Sequence, residues 1–397
     1  MENPKIRFKG FTKDWEQRKL GEVSESYSGG TPSVGNKSYY GGSIPFIRSA
    51  EINSESTELF LTEEGLTNSS ARMVSKGDIL YALYGATSGE TGRSRINGAI
   101  NQAILAILPH DGYDSEFLMQ WLRKSKQNIT DIYLQGGQGN LSGAIVKALE
   151  VNFPSLAEQR QIGNYFQSID KLITLHQRKC EQTKKLKKYM LQKMFPQNGA
   201  KVPEIRFYGF TYDWEQRKLS ELLEKYEDPV ETPHDGYERV GIRSHAKGTF
   251  HSFVEPGKEL DTAKMYRVAA DKFILNITFA WEHAVAITDN NDAGKLVSHR
   301  FPQFSFNPKL KPHFFKYLML DKKFREHLEL SSPGGAGRNR VLKISHMLKY
   351  EIKLPSVEEQ IKIGEYFDSL DHLITLHQRK CDELKKMKKY MLQNMFI

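Results

Sequence analysis

The stretch PSLAEQRQIGNYFQSIDKLITLHQRKCEQTKKLKKYMLQKMF (154–195) returns at 355–396 as PSVEEQIKIGEYFDSLDHLITLHQRKCDELKKMKKYMLQNMF. Each copy opens with the S-x-x-E pattern of a capping box, Ser155 with Glu158 and Ser356 with Glu359, which predicts a helix start. No proline follows inside either copy, so the first helix is predicted to run to Phe195 and the second to the chain end.

Apolar residues recur in both copies at alternating spacings of four and three, which is typical of a coiled coil. A helix alone would expose this seam, so we expect the two helices to pack on each other as an antiparallel pair. The predicted interface residues are Ile162, Phe166, Ile169, Ile173, His176, Cys180, Ile363, Phe367, Leu370, Ile374, His377 and Cys381. The histidines and cysteines could in principle bind zinc. Cysteine more often packs as a small apolar residue, and polar seam residues set register, so no metal site is predicted.

A shorter block is also repeated, IRFKGFTKDWEQRKLGE (6–22) as IRFYGFTYDWEQRKLSE (205–221). Between short and long blocks lie two regions of similar length and little identity, 23–153 and 222–354. This order predicts a pseudo-two-fold internal repeat with a variable domain at 1–153, a long helix and linker at 154–204, a second variable domain at 205–354 and a second long helix at 355–397.

Composition restricts the class of protein. The chain has 397 residues, a net charge of +9 and two cysteines, and it opens with MENPKIRFKG, which has no apolar signal core. These features favour a cytoplasmic, multidomain protein with a polyanionic partner. The sequence contains no phosphate-binding P-loop, no H-E-x-x-H and no C-x-x-C pair, and no convincing S-adenosylmethionine loop, so no catalytic residue is predicted.

Glycine-rich and polar stretches are the candidates for DNA contact. YSGGTPS (27–33), GGQGN (136–140) and GGAGRNR (334–340) could bring backbone N–H groups to phosphates, although glycine turns between strands are the plain alternative. GRSRINGAINQ (92–102), GIRSHAKGTFH (241–251) and SHRF (298–301) carry side chains suited to base edges. The predicted DNA-contact residues are Gly30, Thr31, Ser33, Lys37, Arg93, Arg95, Asn97 (next to Ile96), Gln102, Gln138, Asn140, Arg243, His245, Lys247, His299, Arg300, Arg338, Asn339 and Arg340.

Longer motifs connect these stretches. WEQRKLGE opens the first half, followed by SGGTPS and YYGGSIPFIRSAEI, then by GDILYALYGATSGETG, and LPSVEEQIKIGEYFDSLD enters the second long helix. With these motifs, the whole chain resembles the specificity subunit of a type I restriction-modification enzyme. TFAWEHAVAI followed by VSHRFPQFSF is similar to another variety of target-recognition domain in that family.

The resemblance implies two target-recognition domains of α/β (α+β) fold, separated by two long helices that form an antiparallel coiled coil. Each domain would read one half of a bipartite DNA target, and the helix pair would set the spacer and dock the methyltransferase subunits. It also implies the partners: double-stranded DNA, two adenine-methylating modification subunits and restriction subunits that translocate and cut DNA. S-adenosylmethionine, ATP and Mg²⁺ would be bound by those partners and none by this chain. Two alternatives stay open, a self-contained DNA methyltransferase or nuclease and a stand-alone DNA-binding regulator.

Overall fold

The computed structural model describes residues 4–134, 140–197, 199–260, 262, 264–334 and 340–397. The chain divides into two compact units, Met1–Gln177 with Gln378–Ile397, and Arg178–His377. The two long helices run over Leu156–Lys193 and Val357–Met395. Each unit therefore contains the first half of one long helix and the second half of the other.

The first unit combines short helices with antiparallel-rich sheets. Its four-stranded sheet has the order Ser24–Ser28, Ile104–Pro109, Ile79–Ala82, Thr91–Arg93, and a second sheet has the order Phe60–Leu61, Tyr40–Ile47, Gly98–Ile100, Arg72–Val74. Glu16–Lys19 pairs separately with Glu150–Phe153. The other helices, 3₁₀ turns included, are Leu20–Val23, Lys37–Tyr39, Ser49–Glu51, Glu63–Thr67, Ser115–Leu134 and Gly143–Lys147.

The second unit repeats one sheet and changes the other. The four-stranded sheet recurs as Leu223–Tyr226, Gln303–Phe306, Phe273–Leu275, Val285–Ile287, and Glu215–Lys218 pairs with Glu351–Leu354. The remaining sheet has five strands, in the order Pro229–Glu231, Lys264–Arg267, Leu296–Val297, Tyr237–Ile242, Thr249–Val254. The other helices and the 3₁₀ turn are Leu219–Leu222, Ala280–Glu282, Pro312–Leu318, Lys322–Leu330 and Ile344–Met347. The two units thus share the topology of one sheet and differ in the strand number and order of the other.

The repeated short block ties each unit to its long helix. In the first unit Arg7 donates from Nε and Nη2 to the Glu158 carboxylate at 2.7 and 2.8 Å, and in the second Arg206 donates to Glu359 at 2.7 Å from both nitrogens. The glutamate side chains are only 1% exposed. Ser155 and Ser356 accept from the amides of Glu158 and Glu359 at 3.4 and 3.3 Å, as a capping serine does. The serine of each predicted capping box is in place, and the glutamate anchors an arginine from the short block.

The long helices pair antiparallel, as expected. In the first unit Phe166 stacks on Phe396 at 5.8 Å between ring centroids. Asp170 lies about one turn after Phe166, and it binds Lys388, which lies about two turns before Phe396. The two helices therefore run in opposite directions. The second unit repeats the pattern, with Phe195 stacked on Phe367 at 6.1 Å and Lys187 bound to Asp371. These contacts confirm the antiparallel coiled coil and the internal repeat.

The predicted seam is buried at most of its positions. Ile162, Phe166, Ile169 and Cys180 are buried, as are Ile363, Phe367, Leu370 and Cys381 in the copy. Ile173, His176, Ile374 and His377 are half-buried. The first helix ends at Lys193, ahead of the predicted end at Phe195, and the second at Met395.

Candidate nucleic-acid interface

Two backbone hydrogen bonds connect three separated loops in the first unit. Leu83 N–H donates to the carbonyl of Ala103 at 2.8 Å, and Leu141 N–H donates to the carbonyl of Leu83 at 2.9 Å. This places Gln102 and Asn140, both predicted DNA contacts, on chain segments adjoining Tyr84. We call residues 30–33, 83–84, 102–103 and 140–141 the first loop edge.

The predicted residue Thr31 joins this edge through its side chain. Its hydroxyl donates to Gln102 Oε1 at 2.6 Å, across 71 residues of sequence. Gly29 and Gly30 allow this approach. A Cβ at Gly29 would lie 1.8 Å from the Ile100 carbonyl oxygen, and a Cβ at Gly30 would lie 2.5 Å from Ser70 Cβ. Gly30 is therefore a packing residue that positions Thr31. The exposed Ser33 and Lys37 follow on the same loop and the 3₁₀ turn after it.

Thr31 also borders a cavity of about 390 Å³. The cavity is lined by Thr31, Val34, Tyr40, Phe46, Arg48, Leu59 and Asn101. Arg48 is held on the cavity wall by ion pairs with Glu51 and Glu58. The exposed Arg72, which stacks on the Tyr27 ring at 3.8 Å, was missed in the sequence. Arg72 pairs with Ile100 across the sheet, next to the loop edge, and no local sequence pattern indicated it, because Tyr27 and Ile100 both lie far from Arg72 along the chain.

Two predicted residues of the first region have other partners. Arg93 donates to the carbonyl of Gly77 at 2.9 Å, to Ser115 Oγ at 3.1 Å and to Glu116 at 3.0 Å. Asn97 accepts a hydrogen bond from the Lys76 amide at 2.7 Å, which fixes a turn. These contacts give both residues a structural role, while Arg95 is exposed.

The second unit builds an equivalent edge. Ile277 N–H donates to the carbonyl of Arg300 at 3.0 Å, and Leu342 N–H donates to the carbonyl of Ile277 at 2.9 Å. Ile277, Arg300 and Leu342 thus take the places of Leu83, Ala103 and Leu141. It follows that His299 occupies the position of Gln102, although no sequence similarity relates the two. We call residues 243–249, 277–283, 299–300 and 340–342 the second loop edge.

A loop with left-handed backbone joins the second edge. His245 N–H and Ala246 N–H donate to the carbonyls of Glu282 and His283 at 2.9 and 2.8 Å, and Ser244 Oγ donates to the Glu282 carboxylate at 2.6 Å. His245, Ala246 and His283 have φ of 63°, 51° and 62°. Left-handed conformation in non-glycine residues costs free energy and concentrates at functional sites.

Cations and aromatic rings alternate on this second edge. The Arg243 guanidinium lies 5.3 Å from the Phe250 ring, and the Arg340 guanidinium lies 5.5 Å from the Trp281 ring. Lys247, His299 and Arg300 are exposed. Arg340 also lies 3.5 Å from Glu329, an exposed pair that is weak in water. Cations beside aromatic faces suit a nucleic-acid surface. The predicted contacts Gln138, Arg338 and Asn339 lie outside the described residues.

The buried side chain of His283 connects the second loop edge to the core of its unit. Its imidazole is buried and its Nε2 lies 2.8 Å from the carbonyl oxygen of Met319. Burial lowers the pKa of His283, and the hydrogen bond to Met319 offsets part of this. Since a carbonyl oxygen only accepts, Nε2 carries a proton and donates it to Met319.

Within the described ranges, no group of three or more histidine, cysteine, aspartate or glutamate side chains is placed to hold a metal ion. In the same part of the chain, no helix has the length and apolar character needed to cross a lipid bilayer.

Comparison with known proteins follows the same two-part division. The sequence profile of the type I restriction modification DNA specificity domain matches residues 12–185 and 212–386. The specificity subunit of the type I restriction enzyme MjaVIII of Methanocaldococcus jannaschii is 22% identical over 397 aligned residues, which cover 96% of this chain and 91% of that protein. The specificity subunit of the Escherichia coli enzymes EcoR124I and EcoR124II is 24% identical over 177 aligned residues, 42% of this chain and 43% of that protein.

Solved structures agree on the fold. The crystal structure of a type I restriction-modification S subunit from M. genitalium matches with a TM-score of 0.65 at 14% identity, covering 100% of this chain and 99% of that one. Since the profile of one domain matches both halves and covers most of the sequence, this chain belongs to the family of type I restriction-modification DNA specificity subunits.

Proposed function

We propose that the two loop edges read the two halves of a bipartite DNA target. The observation that carries this is the equivalence of the edges: both units join three loops through the same pair of backbone hydrogen bonds. The side chains presented there differ, with Thr31 and Gln102 on one edge and Arg243, His299 and Arg300 on the other. A common frame with different polar side chains is what reading two different base sequences requires.

The specificity subunit supplies sequence recognition and is not the catalytic component. We propose that this chain binds double-stranded DNA together with two modification subunits and with restriction subunits, and that S-adenosylmethionine, ATP and Mg²⁺ are bound by those partners. Family membership favours this account over a self-contained enzyme or a stand-alone regulator. Methyl transfer by the purified chain alone would contradict it.

The long helices offer a surface for the modification subunits. With the seam at heptad positions a and d, Leu172 and Met387 of the first unit fall at position g, and Leu175 and Tyr390 at position c. All four are exposed, by 44, 41, 44 and 58%. In the second unit Leu373, Leu186, Leu376 and Tyr189 repeat this arrangement and are exposed by 40 to 49%.

These apolar residues form one flank within each unit. In an antiparallel pair the g positions of both helices border the same side of the seam, so the g and c residues of each unit lie together. The exposed lysines of the runs 184–189 and 385–390 lie at positions e, f and b, away from that flank. Exposed contiguous apolar surface marks a protein interface. We therefore assign the apolar flanks to the modification subunits, and propose that the paired helices also set the unspecified spacer between the half-sites.

Introducing one charge on each apolar flank should weaken assembly. The double variant Leu175→Glu with Leu376→Glu is expected to bind its methyltransferase partner at least about 10-fold more weakly. Each glutamate carboxylate would be desolvated where a leucine side chain otherwise makes an apolar contact with the partner. Analytical ultracentrifugation of the mixed subunits measures this. Gln192→Glu with Gln393→Glu adds the same charges at exposed f positions, one in each unit, and should assemble normally. Equal assembly of both double variants would remove the apolar flanks from the interface.

Mapping methylated adenines in a host that expresses this chain with its modification partner tests the proposed function. We expect two short specified sequences at a constant distance, separated by unspecified base pairs. One continuous motif would show that the two units do not read separate half-sites.

A further inference from the structure

The Thr31 hydroxyl fixes the orientation of the Gln102 amide. The Thr31 hydroxyl donates to Gln102 Oε1 at 2.6 Å. The donated proton marks the Oε1 end of the amide, so the other end of this planar group is Nε2.

The fixed amide keeps one free group at each end. Oε1 has a second lone pair, Nε2 has two hydrogens, and the Gln102 side chain is exposed. An acceptor beside a donor in one plane matches the major-groove edge of adenine, which offers the N6 amino group and the N7 acceptor. Guanine presents two acceptors there, N7 and O6, and would place O6 against Oε1.

We infer that Gln102 reads an adenine of the first half-site through the major groove, with Thr31 as its positioning residue. The inference rests on the proposed function and adds the base that this edge recognises. The amide is preorganised, because its orientation is already fixed and little side-chain entropy is lost when it binds the base. His299 occupies the same place on the second edge, where an imidazole cannot offer an amide's paired acceptor and donor. The second half-site is therefore read at this position by different chemistry.

Selection from a randomised duplex DNA library tests the inference. The assembled methyltransferase, containing either wild-type chain or a variant, is used to enrich bound duplexes, which are then sequenced. Gln102→Ala should relax the preference for adenine at one position of one half-site by about 5- to 150-fold, the range expected for one bidentate contact. Gln102→Glu should move the preference at that position toward cytosine, whose N4 amino group donates to a carboxylate.

The positioning residue Thr31 provides a second readout. Thr31→Val keeps the shape of the side chain without its hydroxyl and should relax the same position to a smaller degree, whereas Thr31→Ser should keep the adenine. Gln127→Ala is the matched control, because Gln127 is an exposed glutamine of the same unit whose side chain bonds only its helix neighbour Asp131 among the contacts described.

Two results would overturn the inference and can be told apart. If wild type enriches a bipartite motif and Gln102→Ala enriches the same motif with equal selectivity at every position, Gln102 is not a reader while the proposed function stands. If wild type in the assembled enzyme enriches no motif, the proposed function fails and the inference falls with it.

Discussion

Arg206→Ala is expected to lower the free energy of unfolding of the second unit by about 3–5 kcal/mol, the cost of leaving one partner of a buried ion pair alone. Arg206 binds both oxygens of Glu359, whose side chain is 1% exposed at the start of the second long helix. Without the guanidinium this carboxylate must stay charged and poorly solvated, or take up a proton. Arg7→Ala should have the same effect on the first unit, because Arg7 and Glu158 repeat the contact.

Urea unfolding followed by tryptophan fluorescence measures both effects, since Trp214 lies in the core of the second unit and Trp15 in that of the first. Arg217→Ala is the matched control. Arg217 also pairs with a glutamate of the second unit, Glu215, but their side chains are 38% and 68% exposed, so the loss should stay below about 1 kcal/mol. Similar losses for Arg206→Ala and Arg217→Ala would show that the buried pair is not what holds the short block to the helix.

The same ion pair shows what the sequence could and could not predict about the fold. The helices, their caps and the seam follow from local patterns, because periodicity and capping are set by residues a few positions apart. The reason for the repeated short block does not, since Arg7 meets Glu158 151 positions away and nothing in IRFKGF indicates an acidic partner. The 16–19 strand was equally hidden, because its partner strand 150–153 is supplied by the far end of the variable region.

The sequence predicted only part of the candidate site, because its side chains come from distant parts of the chain and meet only in the folded protein. Residue type identified Thr31, Gln102 and Asn140 separately, but only the folded chain shows that they share one edge. Arg93 has the right chemistry for a base contact, yet it binds Glu116, which a helix packed against its strand supplies. The left-handed His245 and Ala246 gave no signal, because glycine is the residue that normally indicates such a turn.

Exchanging the first recognition region should replace one half of the DNA target completely and leave the other half unaltered. The structure sets the boundaries: residues 24–149 begin after the helix Leu20–Val23 and end before the strand Glu150–Phe153. This choice keeps the Glu16–Lys19 strand paired with Glu150–Phe153 and leaves the Arg7 anchor on Glu158. The incoming segment is the equivalent region of another specificity subunit whose half-site has been mapped.

Independent reading is the reason for this expectation. Each unit has its own hydrophobic core and its own loop edge. The second edge therefore keeps its geometry when the first recognition region is replaced. The control exchanges the same residues for those of a subunit that already recognises the first half-site of wild type, and it should leave the target unchanged.

Mapping of methylated adenines in cells that carry the exchanged chain with its modification partner tests the account most directly. The account predicts a new sequence in one half-site, matching the donor subunit, beside the original second half-site. A map in which both half-sites change, or in which neither does, would contradict it.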